Sequence, residues 1–167
     1  LVDYRNPTTG IGFGITALEE RAVAGAYSLI VLDSTGEAMA AGGVDSNADR
    51  EVAQWFAIVK HLTRLSGAPA VVVLDHVPKD REAPSSYAIG SQRKLAAITG
   101  ASYRCDTLIE PARGKDGKLK LVVAKDRLGN RAKGTTACEI RLHDDGALLV
   151  VEFGLSEAQA AHERGEK

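Results

Sequence analysis

Residues 28–33 read Ser-Leu-Ile-Val-Leu-Asp, and residues 70–76 read Ala-Val-Val-Val-Leu-Asp-His. Both runs are too short for a helix and rich in branched side chains, and each closes on an aspartate, so both are predicted strands. Between them, residues 48–66 carry a helix period. Val52, Phe56, Val59 and Leu62 recur on one face, Asp49 and Glu51 sit in the first turn, and Lys60 and Arg64 lie near the end. Ser46 or Asn47 can cap this helix, and Gly67 can close it. Strand, long helix, strand is a βαβ unit. It predicts parallel strands, a right-handed crossover and burial on both sheet faces. Residues 34–47, rich in Gly, Asp and Asn, are expected to be loop.

The pattern changes after Pro78. A loop runs through Ser86 to a short helix near residues 91–98, and strands follow at about 102–110, 119–125, 137–143 and 148–153. Asp116-Gly117 and Asp145-Gly146 are the expected hairpin turns. A polar helix at 156–164 lies within a tail, residues 155–167. The expected fold class is α/β, with a short parallel core running into an antiparallel β meander.

With 167 residues, 44% hydrophobic and 26% charged, the chain has the composition of one folded domain rather than a disordered tail. No run approaches the ~18 apolar residues of a membrane helix, and no charged start leads into an apolar signal core. No membrane partner is therefore expected, and the cytoplasm is the expected location. The two cysteines, Cys105 and Cys138, lack metal-ligand spacing. Net charge is −1, yet residues 76–133 hold 13 Lys/Arg against 6 Asp/Glu. Such a segment suits a polyanion, or else a solvated face balanced by acidic neighbours.

Open α/β sheets bind ligands beyond the carboxyl ends of their strands. Asp33, followed by Ser34 and Thr35, occupies one such end, and Asp75-His76, followed by Lys79, occupies the other. Four apolar residues ending in Asp fit a strand whose carboxylate holds Mg²⁺ at a phosphate site, though Asp also forms turns. Neither Gly114-Lys115 nor Gly117-Lys118 is a Walker A loop, because Ser or Thr does not follow and the earlier glycine is missing. Gly12-Phe-Gly14-Ile-Thr-Ala17 matches G-x-G-x-x-A with Asp33 downstream, but a polar stretch precedes it where a dinucleotide fold needs a strand. Lys125 and Arg127 occupy alternate positions at a strand end, which suits them to reach one phosphate together.

Taken in order, YSLIVLDSTGEAM (27–39), VVVLDHVPKD (71–80), YAIGSQRKLAA (87–97) and LVVAKDRLGNR (121–131) resemble the RecA-like motor domain of hexameric replicative helicases. The likeness is nearest to the ATPase domain of actinobacterial plasmid and phage replication proteins. It implies a partial RecA-like three-layer core, with residues 1–167 forming the C-terminal portion of one such domain.

The resemblance implies roles residue by residue. Asp33 is similar to the Walker B carboxylate that positions Mg²⁺, with Ser34 and Thr35 beside the nucleotide. His76 is similar to the γ-phosphate sensor. Lys79, Arg81, Ser91, Arg93 and Lys94 fall in what resembles the DNA-facing segment. Lys125 and Arg127 resemble the K-x-R pair that crosses a subunit interface to the neighbour's γ-phosphate. ATP, Mg²⁺, single-stranded or duplex DNA and a homo-oligomer, ring or dimer, are thus implied.

The family's P-loop has no counterpart before Asp33, and Leu1–Pro7 resembles the strand just ahead of the Walker B strand. Glu37 is a poor stand-in for the catalytic glutamate. The expected function is the C-terminal part of a DNA-dependent ATPase or helicase from a replication or mobile-element protein, inactive by itself. The alternative is a non-catalytic module that binds DNA or a motor subunit.

Overall fold

The computed structural model of the protein describes residues 16–25, 27–76 and 92–155. The chain is mixed α/β and divides into two compact units, residues 1–97 and 98–167. The first contains a two-stranded parallel sheet and the second a four-stranded antiparallel one.

The first unit runs α1 (Thr16–Gly25), β1 (Leu29–Leu32), α2 (Thr35–Ala41), α3 (Asp49–Leu62), β2 (Ala70–Val73) and α4 (Arg93–Ala97). β1 and β2 pair in parallel, with Leu29 opposite Ala70 and Leu32 opposite Val73. The stripe of Val52, Phe56, Val59 and Leu62 on α3 is buried as its period predicts, and Trp55, which the stripe did not include, is buried with it. Trp55 and Phe56 meet edge to face with ring centroids 5.1 Å apart, and Met39 and Ala38 of α2 are also fully buried.

Four expectations for this unit are corrected. Residues 34–47 are not all loop, because Glu37-Ala-Met-Ala-Ala41 is a run of strong helix formers and folds as most of α2. Neither Ser46 nor Asn47 caps α3. Its N-cap position is Ala48, and the approach is held from inside the helix, where the Glu51 carboxylate accepts the Asp45 N–H at 2.8 Å. The helix also stops at Leu62. The Thr63 hydroxyl donates to the Lys60 carbonyl at 2.8 Å, and the chain then turns through Gly67 at φ +91°. Among the described residues only one face of the parallel sheet is covered, by Ile30 and Leu32 turning inward. Leu29, Val31, Val72 and Leu74 on the other face are exposed.

The second unit is a meander of β3 (Ala101–Ile109), β4 (Gly117–Asp126), β5 (Thr136–Asp144) and β6 (Leu149–Gly154), in that spatial order. Pairing register sorts its side chains. Arg104, Asp106, Lys118, Lys120, Glu139 and Arg141 share one face, and Leu119, Leu121, Val123, Ile140 and Leu142 share the other. The charged face is laced by Arg104–Asp106 at 2.6 Å and Lys118–Glu139 at 3.0 Å. The hydrogen bond from Arg104 holds the Asp106 carboxyl below the usual carboxylate range and in turn raises the guanidinium. Burial, followed by the Asp106 charge, pushes the Cys105 thiol up.

One hairpin turn falls where expected. Gly146 has φ +88°, and the Asp145 carboxylate accepts the N–H groups of Ala147 and Leu148. That pair of bonds lowers the Asp145 pKa. The other turn is corrected, because the chain reverses at Arg113-Gly114, where Gly114 has φ +73° and Ala112 bridges Lys115. Gly117 is already in β4. A Cβ there would lie 2.7 Å from Pro111 Cβ, so close packing rather than a turn excludes a side chain.

Candidate functional site

The carboxyl ends of β1 and β2 open at the same end of one sheet, since Leu32 pairs with Val73. Asp33 is the first residue beyond β1 and is exposed, and His76, exposed too, is the third beyond β2. The two ends are tied together by Thr35. Its N–H and its hydroxyl both donate to the Leu74 carbonyl, each at 2.7 Å. Ser34 and Thr35 are buried, so the peptide behind Asp33 is fixed while the carboxylate faces outward. Ser34 and Thr35 were expected at the nucleotide; the structure gives the Thr35 hydroxyl a bond to the neighbouring strand.

Asp75 fixes the second strand end. One carboxylate oxygen accepts the His76 N–H at 2.9 Å, and the other accepts the Lys94 ammonium at 2.9 Å. Lys94 is only 5% exposed. Expected among the DNA contacts, it instead directs its ammonium inward and ties α4 to the end of β2. Arg93, its neighbour, is exposed and forms a 3.3 Å ion pair with Asp49 in the first turn of α3. Both partners there are more than half exposed, so that pair contributes little. Lys79, Arg81 and Ser91 lie outside the described residues.

In the second unit, Lys125 and Arg127 lie at the end of β4. A β-bulge precedes them: Ser102 is opposite Lys125 and Tyr103 opposite Val123, which leaves Ala124 as the extra residue. Bulges of this kind re-aim the side chains that follow. The half-buried Lys125 ammonium donates to the Ile98 carbonyl at 2.8 Å. Arg127 stands one residue past the strand, exposed, with its N–H bonded to the Gly100 carbonyl. The expectation of two cations side by side on one strand face is thus modified. One is tethered to main chain, and the other is free to point outward on a turn.

Asp75, expected at a strand end of the kind that holds Mg²⁺, is instead engaged by Lys94 and the His76 N–H, and Asp126, without a role in the sequence reading, is a positioning carboxylate. Asp126 accepts the N–H groups of Leu128 and Arg131. The Asp-x-x-Gly spacing of Asp126 and Gly129 is the signal that could have marked it as a turn builder.

Gly12 and Gly14 of the dinucleotide-like pattern lie outside the described residues, as does the stretch Leu1–Pro7. α1 begins inside that pattern, at Thr16.

Mg²⁺ at a nucleotide site is usually held by one or two carboxylates together with phosphate oxygens, rather than by a protein cage. A single outward carboxylate, Asp33, on a buried and hydrogen-bonded backbone fits that donor set. Among the described residues no group of three or more His, Cys, Asp and Glu is placed to hold a metal alone. No helix among them is long and apolar enough to cross a membrane. Set against known protein families, curated proteins and solved structures, the chain matches none.

Proposed function

We propose that this chain supplies the Mg²⁺-positioning, sensor and trans-acting part of a RecA-like, DNA-dependent ATPase of a replication or mobile-element protein. The observation that carries the reading is the parallel pairing of β1 and β2, which brings Asp33 and His76 out at one end of one sheet. Ligands of open α/β sheets sit at such an end. The β4 end adds a second support, since Arg127 is exposed there with no acidic partner among the described residues.

In this reading ATP is the substrate, and its triphosphate is gripped by a P-loop that no motif of these 167 residues supplies and that comes from an upstream segment or another chain; the assembly with it is the P-loop-completed protein. Asp33 would hold Mg²⁺, whose chemistry there would be neutralisation of the charge developing on the phosphate oxygens. His76 reads the γ-phosphate from the next strand, with its backbone fixed by Asp75. Lys125 and Arg127 act on a neighbouring subunit's nucleotide, which makes the working form a ring or dimer. An arginine supplied in trans raises such rates by ~10³–10⁵-fold. DNA runs over the basic segment, with Arg93 as the described contact and Lys79 and Arg81 as further ones.

The second reading, a binding module without catalysis, is favoured by the missing Walker A pattern. The two separate on one experiment, titration of single-stranded DNA with and without Mg²⁺ and an ATP analogue, in the P-loop-completed protein. The motor reading expects nucleotide to change DNA affinity in the wild type and not in Asp33→Asn. Affinity that depends on salt alone, and is equal in both proteins, would favour the module.

A further inference from the structure

The turn after β4 is built by one side chain. Asp126 Oδ1 accepts the Leu128 N–H at 2.9 Å, and Oδ2 accepts the Arg131 N–H at 3.0 Å. Arg127 extends the ladder by donating its N–H to the Gly100 carbonyl at 3.2 Å, and Gly129 at φ +73° lets the chain reverse. Both oxygens of a carboxylate that is followed in sequence by Arg127 and then Arg131 are therefore used on main-chain N–H groups. Arg127 and Arg131 are both exposed, and neither guanidinium has a hydrogen bond or ion pair among the described residues. The tip between them is open to solvent, with Leu128 82% exposed.

A carboxylate beside two arginines ordinarily neutralises them. Here it shapes the loop and leaves both cations available. A guanidinium matches phosphoryl oxygens in a two-pronged geometry, and a loop already ordered before binding loses less entropy when it engages a ligand. We propose that Asp126 is a positioning residue that forms the 126–131 turn into a receptor for the terminal phosphates of a nucleotide, with Arg131 as a second arm beside Arg127. The choice of a nucleotide as ligand rests on the motor reading above, whereas the turn geometry does not.

The test is a calorimetric titration of inorganic tripolyphosphate into the full chain at low salt, with a short oligo(dT) titrated in parallel. The variants are Asp126→Ala, Asp126→Asn and Arg131→Gln. Charge and positioning predict opposite signs. Asp126→Ala makes the region one unit more positive, so a diffuse basic surface would bind tripolyphosphate more tightly. A positioning role predicts binding about ten-fold weaker, roughly the weight of one charge-assisted hydrogen bond. Asp126→Asn, which keeps one acceptor, should fall between wild type and Asp126→Ala. Arg131→Gln, at an exposed position outside every strand, should weaken tripolyphosphate about ten-fold and oligo(dT) less.

Equal or tighter binding in Asp126→Ala would overturn the proposal, and so would an Arg131→Gln loss confined to oligo(dT). If Asp126→Ala fails to fold, Asp126→Asn and Arg131→Gln decide the matter. Failure of the motor reading looks different: tripolyphosphate binding would still respond to these variants, while ATPase activity of the P-loop-completed protein ignored Arg127→Ala.

Discussion

Breaking the Asp75–Lys94 pair should cost different amounts from its two sides. The Lys94 side chain keeps 6% of its exposure and that of Asp75 keeps 18%, at an N–O distance of 2.9 Å. Removing one partner of a buried pair costs about 3–5 kcal/mol when the remaining charge stays dry. Lys94→Met leaves a carboxylate that has some water and still accepts the His76 N–H, so its cost should sit below that range, at about 2 kcal/mol. Asp75→Asn leaves the more deeply buried ammonium facing a neutral amide and should cost about 3–4 kcal/mol. The double variant should cost less than the two single ones added, with a coupling of at least about 1 kcal/mol. Urea unfolding followed by fluorescence reads this directly, because the chain has one tryptophan, Trp55, fully buried in the same unit. Asp75→Asn proving cheaper than Lys94→Met, or both costing under about 0.5 kcal/mol as an exposed pair would, refutes the reasoning.

Gly117→Ala should destabilise the second unit by about 1–3 kcal/mol, since the added methyl meets Pro111; an unchanged urea midpoint in a second-unit circular dichroism signal would count against that contact. The Asp106 carboxyl has a lowered pKa, so the stability it contributes is complete above the ordinary carboxylate value of about 4 and is lost as pH falls through the lowered one. The stability gap between wild type and Arg104→Gln should accordingly shrink on acidification, and a gap that grows towards low pH would show the sign to be wrong. Alkylation of Cys105, followed in a Cys138→Ser background, should need higher pH than a free cysteine, because burial and then the Asp106 charge oppose the thiolate. Asp106→Asn should move the rate profile part of the way back; a profile at or below that of free cysteine contradicts the upward shift.

The parallel pair and the four antiparallel strands were legible because both rest on runs whose period survives any packing. The Val52–Leu62 stripe and the β-branched strands each admit one placement. Turns and caps were less legible because they depend on contacts distant in sequence. The Asp116-Gly117 dipeptide has the composition of a turn, yet Gly117 is required by Pro111 across the hairpin. Ser46 and Asn47 have the chemistry of caps, yet Glu51 performs the ordering by reaching back to Asp45. Asp33 and His76 could be placed at strand ends from pattern alone. The inward turn of Lys94 could not, because only the fold brings residue 94 to residue 75.

The most direct test of the account is a mixing experiment on the P-loop-completed protein, measuring DNA-stimulated ATP hydrolysis. Asp33→Asn should inactivate the subunit that binds the nucleotide, and Arg127→Ala should inactivate its neighbour's site. Each variant alone should be inactive, and an equimolar mixture should recover a fraction of wild-type activity at interfaces that pair an intact Asp33 with an intact Arg127. A mixture as inactive as its components, or an Arg127→Ala protein hydrolysing ATP at the wild-type rate, would contradict it.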